Sequence, residues 1–298
     1  MTNPETRLKR AFGLVLVFLV LTGCNQFDSI PYTPRQTPET WLGIQPFVEF
    51  QIASSTLLVV QPTTTALVYL LGMVTIGVGV YFLRIREAQH SRRWWGIALL
   101  LWGIGALLAG TSYEAFSYQI KCVGREVCIW TSWWEIGYLV VSVASVDAML
   151  MAQAYACATG NWRRFLSRYA LGNLVLYLIT VLIGVLVPIQ FLISFELLLI
   201  FSAPAIVIFI VQNGWRYHRF RRGIDIALLG TWAWLVLTIG GYFLYLISGL
   251  TQQLWRQGIW FSENDVLHLG LLIWMVYIAV IVAQRVKDEN PLDAAPST

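Results

Sequence analysis

Charge is what this sequence has least of. Only 12% of its 298 residues are Asp, Glu, Lys or Arg, about half the share of an ordinary soluble domain. Lysine is scarcer still: Lys9, Lys121 and Lys287 are the only three. None of them lies inside an apolar stretch, which excludes a retinal Schiff base held within a helical bundle. Histidine is equally sparse, with His90 and His218 set among arginines and His268 alone inside an apolar stretch. A metal site built mainly of histidines is therefore excluded, and any metal would need carboxylates. No nucleotide-binding loop, heptad run, low-complexity tract or internal repeat is present. Gly72, Gly77 and Gly79 match no phosphate-binding spacing and read as small residues for close helix packing.

What is there is apolar: 57% of the chain is hydrophobic. The apolar residues gather into seven stretches at about 66–83, 95–116, 130–156, 169–187, 191–211, 224–247 and 266–283. Each is near the ~20 residues that cross a hydrocarbon core of ~30 Å. The expected fold class is all-α, a polytopic seven-transmembrane helix bundle over 63–286 followed by a tail at 287–298. Basic residues mark one side. Those in the connections after the first, third and fifth stretches and in the tail number thirteen, against Arg35, Lys121, Arg125 and Arg256 on the other side. Under the positive-inside rule this places the chain in a bacterial inner membrane with its tail cytoplasmic and residue 25 onward outside. The net charge of +4 reflects those arginines beside an anionic leaflet and implies no nucleic acid partner.

The first 24 residues combine a basic start, an apolar core and the ending Leu21-Thr22-Gly23-Cys24. They read as a secretory signal with a lipobox-like cysteine or as an uncleaved signal anchor. Residues 25–62 carry five prolines and form an external segment. Its apolar middle, from Phe47 to Leu58, lies either on the membrane surface or over the mouth of the bundle. Cys122 and Cys128 fall in the next external loop, where an oxidising compartment favours a disulfide over two free thiols.

Ionisable groups inside apolar stretches cost several kcal/mol and are functional candidates by default. Here they are Glu114, Glu135, Asp147, Glu196, Asp265 and His268. Topology alone brings the end of the second helix and the starts of the third and seventh to one external end. Ser132 and Glu135 have the spacing of a capping box, as do Ser262 and Asp265, with Asn264 a further cap candidate. Asp147 and Glu196, deeper and on other helices, read as protonated carboxyls bonded to backbone carbonyls. Glu114 fits no such role, because a helix C-terminus disfavours an anion. His268, one turn into the seventh helix, is favoured neutral and serves either as a hydrogen-bonding group or as a metal ligand. Asp265 and His268 are three apart and share a helical face.

The Gly110-Thr111-Ser112-Tyr113-Glu114 stretch, the acid Glu135 and the Asn264-Asp265-x-x-His268 opening resemble the ceramidase-like CREST superfamily of seven-helix membrane proteins. The resemblance implies a zinc hydrolase for lipid amides or esters. In it Glu114 takes the place of a helix-two histidine, Ser112 or Thr111 approximates the serine, Glu135 stands for the acid, and Asn264 and His268 stand for the last-helix histidines. Two of the three histidine ligands are absent, so Glu114 and Asp265 would act as oxygen ligands. The resemblance thus casts Glu114, Asn264, Asp265 and His268 as holding zinc, with Glu135 and Ser112 catalytic. The rival expectation is a non-enzymatic seven-helix protein, a small-ligand sensor or a membrane scaffold, whose polar cluster is a hydrogen-bonded plug.

Overall fold

The computed structural model describes residues 26–52 and 55–289. The expected N-terminal signal and lipobox, and the end of the tail, lie outside these residues. The fold is an all-α bundle of seven helices long and apolar enough to cross a membrane: Pro62–Arg84, His90–Ala115, Trp133–Cys157, Gly160–Leu186, Phe195–Phe220, Gly223–Ser248 and Glu263–Arg285. They are called the first to seventh spans below, and the chain is a multi-pass membrane protein.

Several spans outrun their apolar windows at the arginine-rich end. An arginine ends an apolar run but not a helix, since its long stem carries the charge beyond the apolar zone. The fourth span starts at Gly160, nine residues ahead of the expected 169, and takes in Arg163, Arg164 and Arg168. The fifth continues through Arg216 to Phe220.

The first and second spans approach closely because glycines face each other. A Cβ on Gly79 would lie 3.0 Å from the carbonyl oxygen of Gly96, and one on Gly72 would lie 3.2 Å from that of Gly103. Gly77 has open space and takes no part. Polar side chains then stitch spans together by reaching backbone oxygens across the core, as small-residue membrane interfaces commonly do. Ser145 donates to Ala98 at 2.8 Å, Trp234 to Gly270 at 2.9 Å and Trp274 to Thr231 at 2.8 Å. The main core runs through the middle of the bundle around Trp274, Phe82, Leu99 and Met149.

The segment before the first span is not merely extended. A helical turn at Pro38–Gly43 precedes an antiparallel hairpin of β1 (Phe47–Ile52) and β2 (Ser55–Val60). The hairpin is fixed over the bundle mouth, because Gln119 donates to the Leu58 carbonyl at 2.7 Å and Val60 is fully buried. Phe27 and Ile30 reach further in and join the core of the third, fourth and fifth spans.

At the opposite, arginine-rich end, the start of the expected tail is part of the fold. Asp288 accepts from the backbone amides of His90 and Ser91 at 2.9 and 2.7 Å, a carboxylate placed where a helix N-terminus favours one. Glu289 bridges Arg216 at 3.0 Å and Arg222 at 2.6 Å, while Arg216 also pairs with Asp225 at 2.8 Å. Four spans are thereby tied by two residues. Removing one partner of a buried ion pair costs about 3–5 kcal/mol, whereas an exposed pair such as Arg125–Asp28 contributes about 0–1 kcal/mol. Glu289→Ala should therefore lower the unfolding midpoint of the detergent-solubilised protein strongly and Asp28→Ala barely, as followed by circular dichroism. Equal losses would show that the strap is not structural.

Candidate functional site

The second span ends in a π-helical turn, Gly110–Ala115, a feature frequent at functional sites. A short helix, Ser117–Lys121, follows at once. Together they deliver Ser112, Glu114 and Lys121 to the arginine-poor end of the bundle, all three buried. The loop beyond is pinned by the Cys122–Cys128 disulfide. Residues 30–36 pair with it through backbone bonds from Trp130 to Ile30 and from Cys128 to Gln36, each 2.9 Å.

Lys121 is the centre of this arrangement. Its ammonium, 0% exposed, forms an ion pair with Glu135, whose side chain is 3% exposed. It also donates to the Tyr32 hydroxyl at 3.0 Å and lies over the rings of Tyr113, Tyr32 and Trp41 at 4.8, 5.4 and 5.9 Å. Ser112 Oγ donates to Glu135 Oε1 at 2.7 Å. Because that uses its one proton, Ser132 is the donor in the 2.7 Å contact between the two serine hydroxyls. Burial pulls the Lys121 ammonium down, but Glu135 and then Tyr32 outweigh it and hold the group above the ordinary lysine value.

Glu135 is thus not the cap that its spacing predicts. Ser132 precedes the third span with no side-chain cap bond, because the buried ammonium and Ser112 take the Glu135 carboxylate instead. Asp265 does serve its helix: its Oδ2 accepts from the Ser262 amide at 2.5 Å. Its Oδ1 accepts from Thr64 Oγ1 at 3.0 Å, which joins the first and seventh spans. Asn264 is half-buried in the same turn.

Glu114 and His268 differ from these. Glu114 is buried within electrostatic reach of Lys121, Asp265 and Glu135, so four ionisable groups converge here from four elements. Yet Glu114 Oε2 and His268 Nδ1 are both buried with no hydrogen-bond partner among the described residues. Leaving such a group unpaired costs about 1–3 kcal/mol.

The donors do not fit a zinc centre. Among the described residues no group of three or more His, Cys, Asp or Glu side chains is placed to hold a metal. Glu135 is committed to Lys121 and Ser112, and Asp265 to its helix start and Thr64, which leaves Glu114 and His268. The two remaining intramembrane acids stand apart. Asp147 accepts from the Asn173 amide at 3.0 and 3.1 Å, an amide rather than the expected backbone carbonyl. Glu196 is not deep: it is exposed in the first turn of the fifth span.

Sequence reasoning missed Lys121, Tyr32 and Thr64. A signal for Lys121 existed: it is one of three lysines in a chain that otherwise uses arginine, and it adjoins Cys122. Nothing local marks Tyr32 or Thr64, whose partners lie far along the chain.

A model described as a family of unknown function, DUF6962, matches residues 63–287. No curated protein and no solved structure matches the chain.

Linkage gives the site a pH signature. A group whose value is raised on folding stabilises fully below its unfolded value, and that contribution is lost as pH rises through the folded value. For Lys121 the loss begins above pH about 10.4. Tyr32, raised mainly by burial, acts in the same window with the same sign. Unfolding midpoints measured from pH 8 to about 11 should fall at the alkaline end in the wild type and less steeply in Lys121→Met. Tyr32→Phe should cost about 1.5–3 kcal/mol at pH 8, the worth of a hydrogen bond to a charged group. An unchanged alkaline limb in Lys121→Met would contradict the assignment.

Proposed function

The chain belongs to the DUF6962 family, and on that premise we propose that it is a non-enzymatic seven-helix membrane sensor. Its polar cluster is a plug that admits a small, largely apolar ligand at the external end. The chain lies in a bacterial inner membrane, with the hairpin outside and Asp288 and Glu289 at the cytoplasmic face. The supporting asymmetry is thirteen basic residues on one side against four on the other.

One observation carries the sensor reading. Among the described residues the buried Lys121, Glu135 and Asp265 are spent on holding the fold, whereas Glu114 and His268 each keep a buried polar atom without a hydrogen-bond partner. A buried carboxyl oxygen and a buried imidazole nitrogen suit a molecule with an apolar body and one polar end that can donate and accept, such as an N-acyl amide. The Lys121–Glu135 pair supports the lid role of the external segment. It holds Tyr32, and with it residues 30–36, onto the bundle, so a ligand that displaced this contact would move the hairpin.

The second reading is the zinc-assisted hydrolase implied by the ceramidase-like resemblance, with membrane lipid amides or esters as substrate. The same two groups, Glu114 and His268, favour it as potential ligands. A third ligand beside them is not in place among the described residues.

One preparation separates the two. The detergent-purified full chain is titrated with a short-chain N-acyl ethanolamine while tryptophan fluorescence, zinc content and turnover of the amide are followed. The sensor reading expects saturable fluorescence change, no stoichiometric zinc and no turnover, with the fluorescence change lost in both Glu114→Gln and His268→Ala. Stoichiometric zinc that disappears in His268→Ala together with amide turnover would contradict it.

A further inference from the structure

At the arginine-rich end a cleft of about 500 Å³ opens between the fourth and fifth spans, within the 300–1,000 Å³ typical of small-molecule sites. Its walls are Trp162, Val207, Ile208, Val211 and Trp215, and its inner end is closed by Arg216 beside Cys157. The outer wall faces outward: Val207, Val211 and Trp215 are 58%, 63% and 62% exposed. In a multi-pass membrane protein such a surface meets acyl chains, not water. The two tryptophans stand where indoles favour the headgroup boundary.

Charge says what kind of lipid fits. Arg216 is not available, since its guanidinium is taken up by Asp225, the Cys157 carbonyl and Glu289. Arg219 is placed differently. Ile208, Gln212, Trp215 and Arg219 follow one another at four-, three- and four-residue steps, so they share one face of the fifth span. Arg219 therefore extends the cleft by one turn past Trp215 toward the headgroups, and it is exposed. An apolar slot that leads to an exposed guanidinium complements an acyl chain that leads to a phosphate.

We propose that this cleft is a retention site for one anionic phospholipid, with an acyl chain between Trp162 and Val211 and the phosphate on Arg219. The site is distinct from the external cluster and does not depend on the sensor reading.

Native mass spectrometry of the full chain, released from detergent after incubation with phosphatidylglycerol or phosphatidylcholine, tests it. The wild type should retain one phosphatidylglycerol in preference to phosphatidylcholine. Arg219→Gln should lower that preference about fivefold, the effect of one basic residue at a membrane surface. Val211→Trp, which fills the slot from an outward-facing position, should abolish retention of both lipids, and Val207→Phe offers the same test should Val211→Trp not fold. Equal retention of the two lipids, unaffected by the variants, would overturn the proposal. So would a dimer lost in Val211→Trp with no lipid bound, which would make the cleft a contact between copies of the chain.

Discussion

A lysine with no solvent access beside a glutamate with almost none is an arrangement that neither partner could sustain alone. The Lys121–Glu135 pair joins the short helix after the second span to the start of the third. Through Tyr32 it also holds the segment before the first span onto the arginine-poor end of the bundle. Moving two charges out of water is expensive, and their attraction offsets that cost only with good geometry and further hydrogen bonds. Ser112, Tyr32 and the ring of Tyr113 supply these. Once the pair is fixed, the remaining polar groups at this end fall into place: Asp265 can serve its own helix, and Glu114 and His268 are left over.

The two ends of the molecule solve the same problem with different residues. At the arginine-poor end a single lysine is sealed by aromatics and a disulfide-closed loop. At the other, Arg216 and Arg222 share Glu289, and Asp288 completes the N-terminus of the second span. Both solutions draw on segments outside the apolar spans, the residues before the first span and those after the seventh. In a bundle held together by small residues and packing, these polar clasps fix which spans are neighbours at each end.

Much of the fold was legible because the membrane imposes a simple rule on sequence. Seven apolar stretches near 20 residues identify seven helices, and the convergence of Glu114, Glu135 and Asp265 follows from counting crossings. Helix ends were less legible, since the fourth span begins nine residues early through Arg163, Arg164 and Arg168, where arginine marks the headgroup zone rather than a helix stop. The site was legible in its members but not in its bonding. A serine three residues before a carboxylate, Glu135 at the third span and Asp265 at the seventh, reads as a cap at both. It serves as one only at the seventh, because no buried lysine competes for Asp265. Tyr32 carries no local pattern at all; its role depends on the pairing of residues 30–36 with the disulfide-closed loop, which brings residues 89 positions apart together. The resemblance to ceramidase-like proteins rests on residues such as Glu135 whose carboxylates here are already committed.

The central claim, that one coupled ion pair holds the arginine-poor end together, is tested most directly by a double-mutant cycle. Unfolding free energies are measured for the wild type, Lys121→Met, Glu135→Gln and the double variant in one detergent. Each single change is predicted to cost about 3–5 kcal/mol, because it strands a buried charge. The double variant should cost clearly less than the sum, since neither charge is then left alone. Additive losses would contradict the account, for they would mean that Lys121 and Glu135 are stabilised independently and that this end of the bundle does not depend on their pairing.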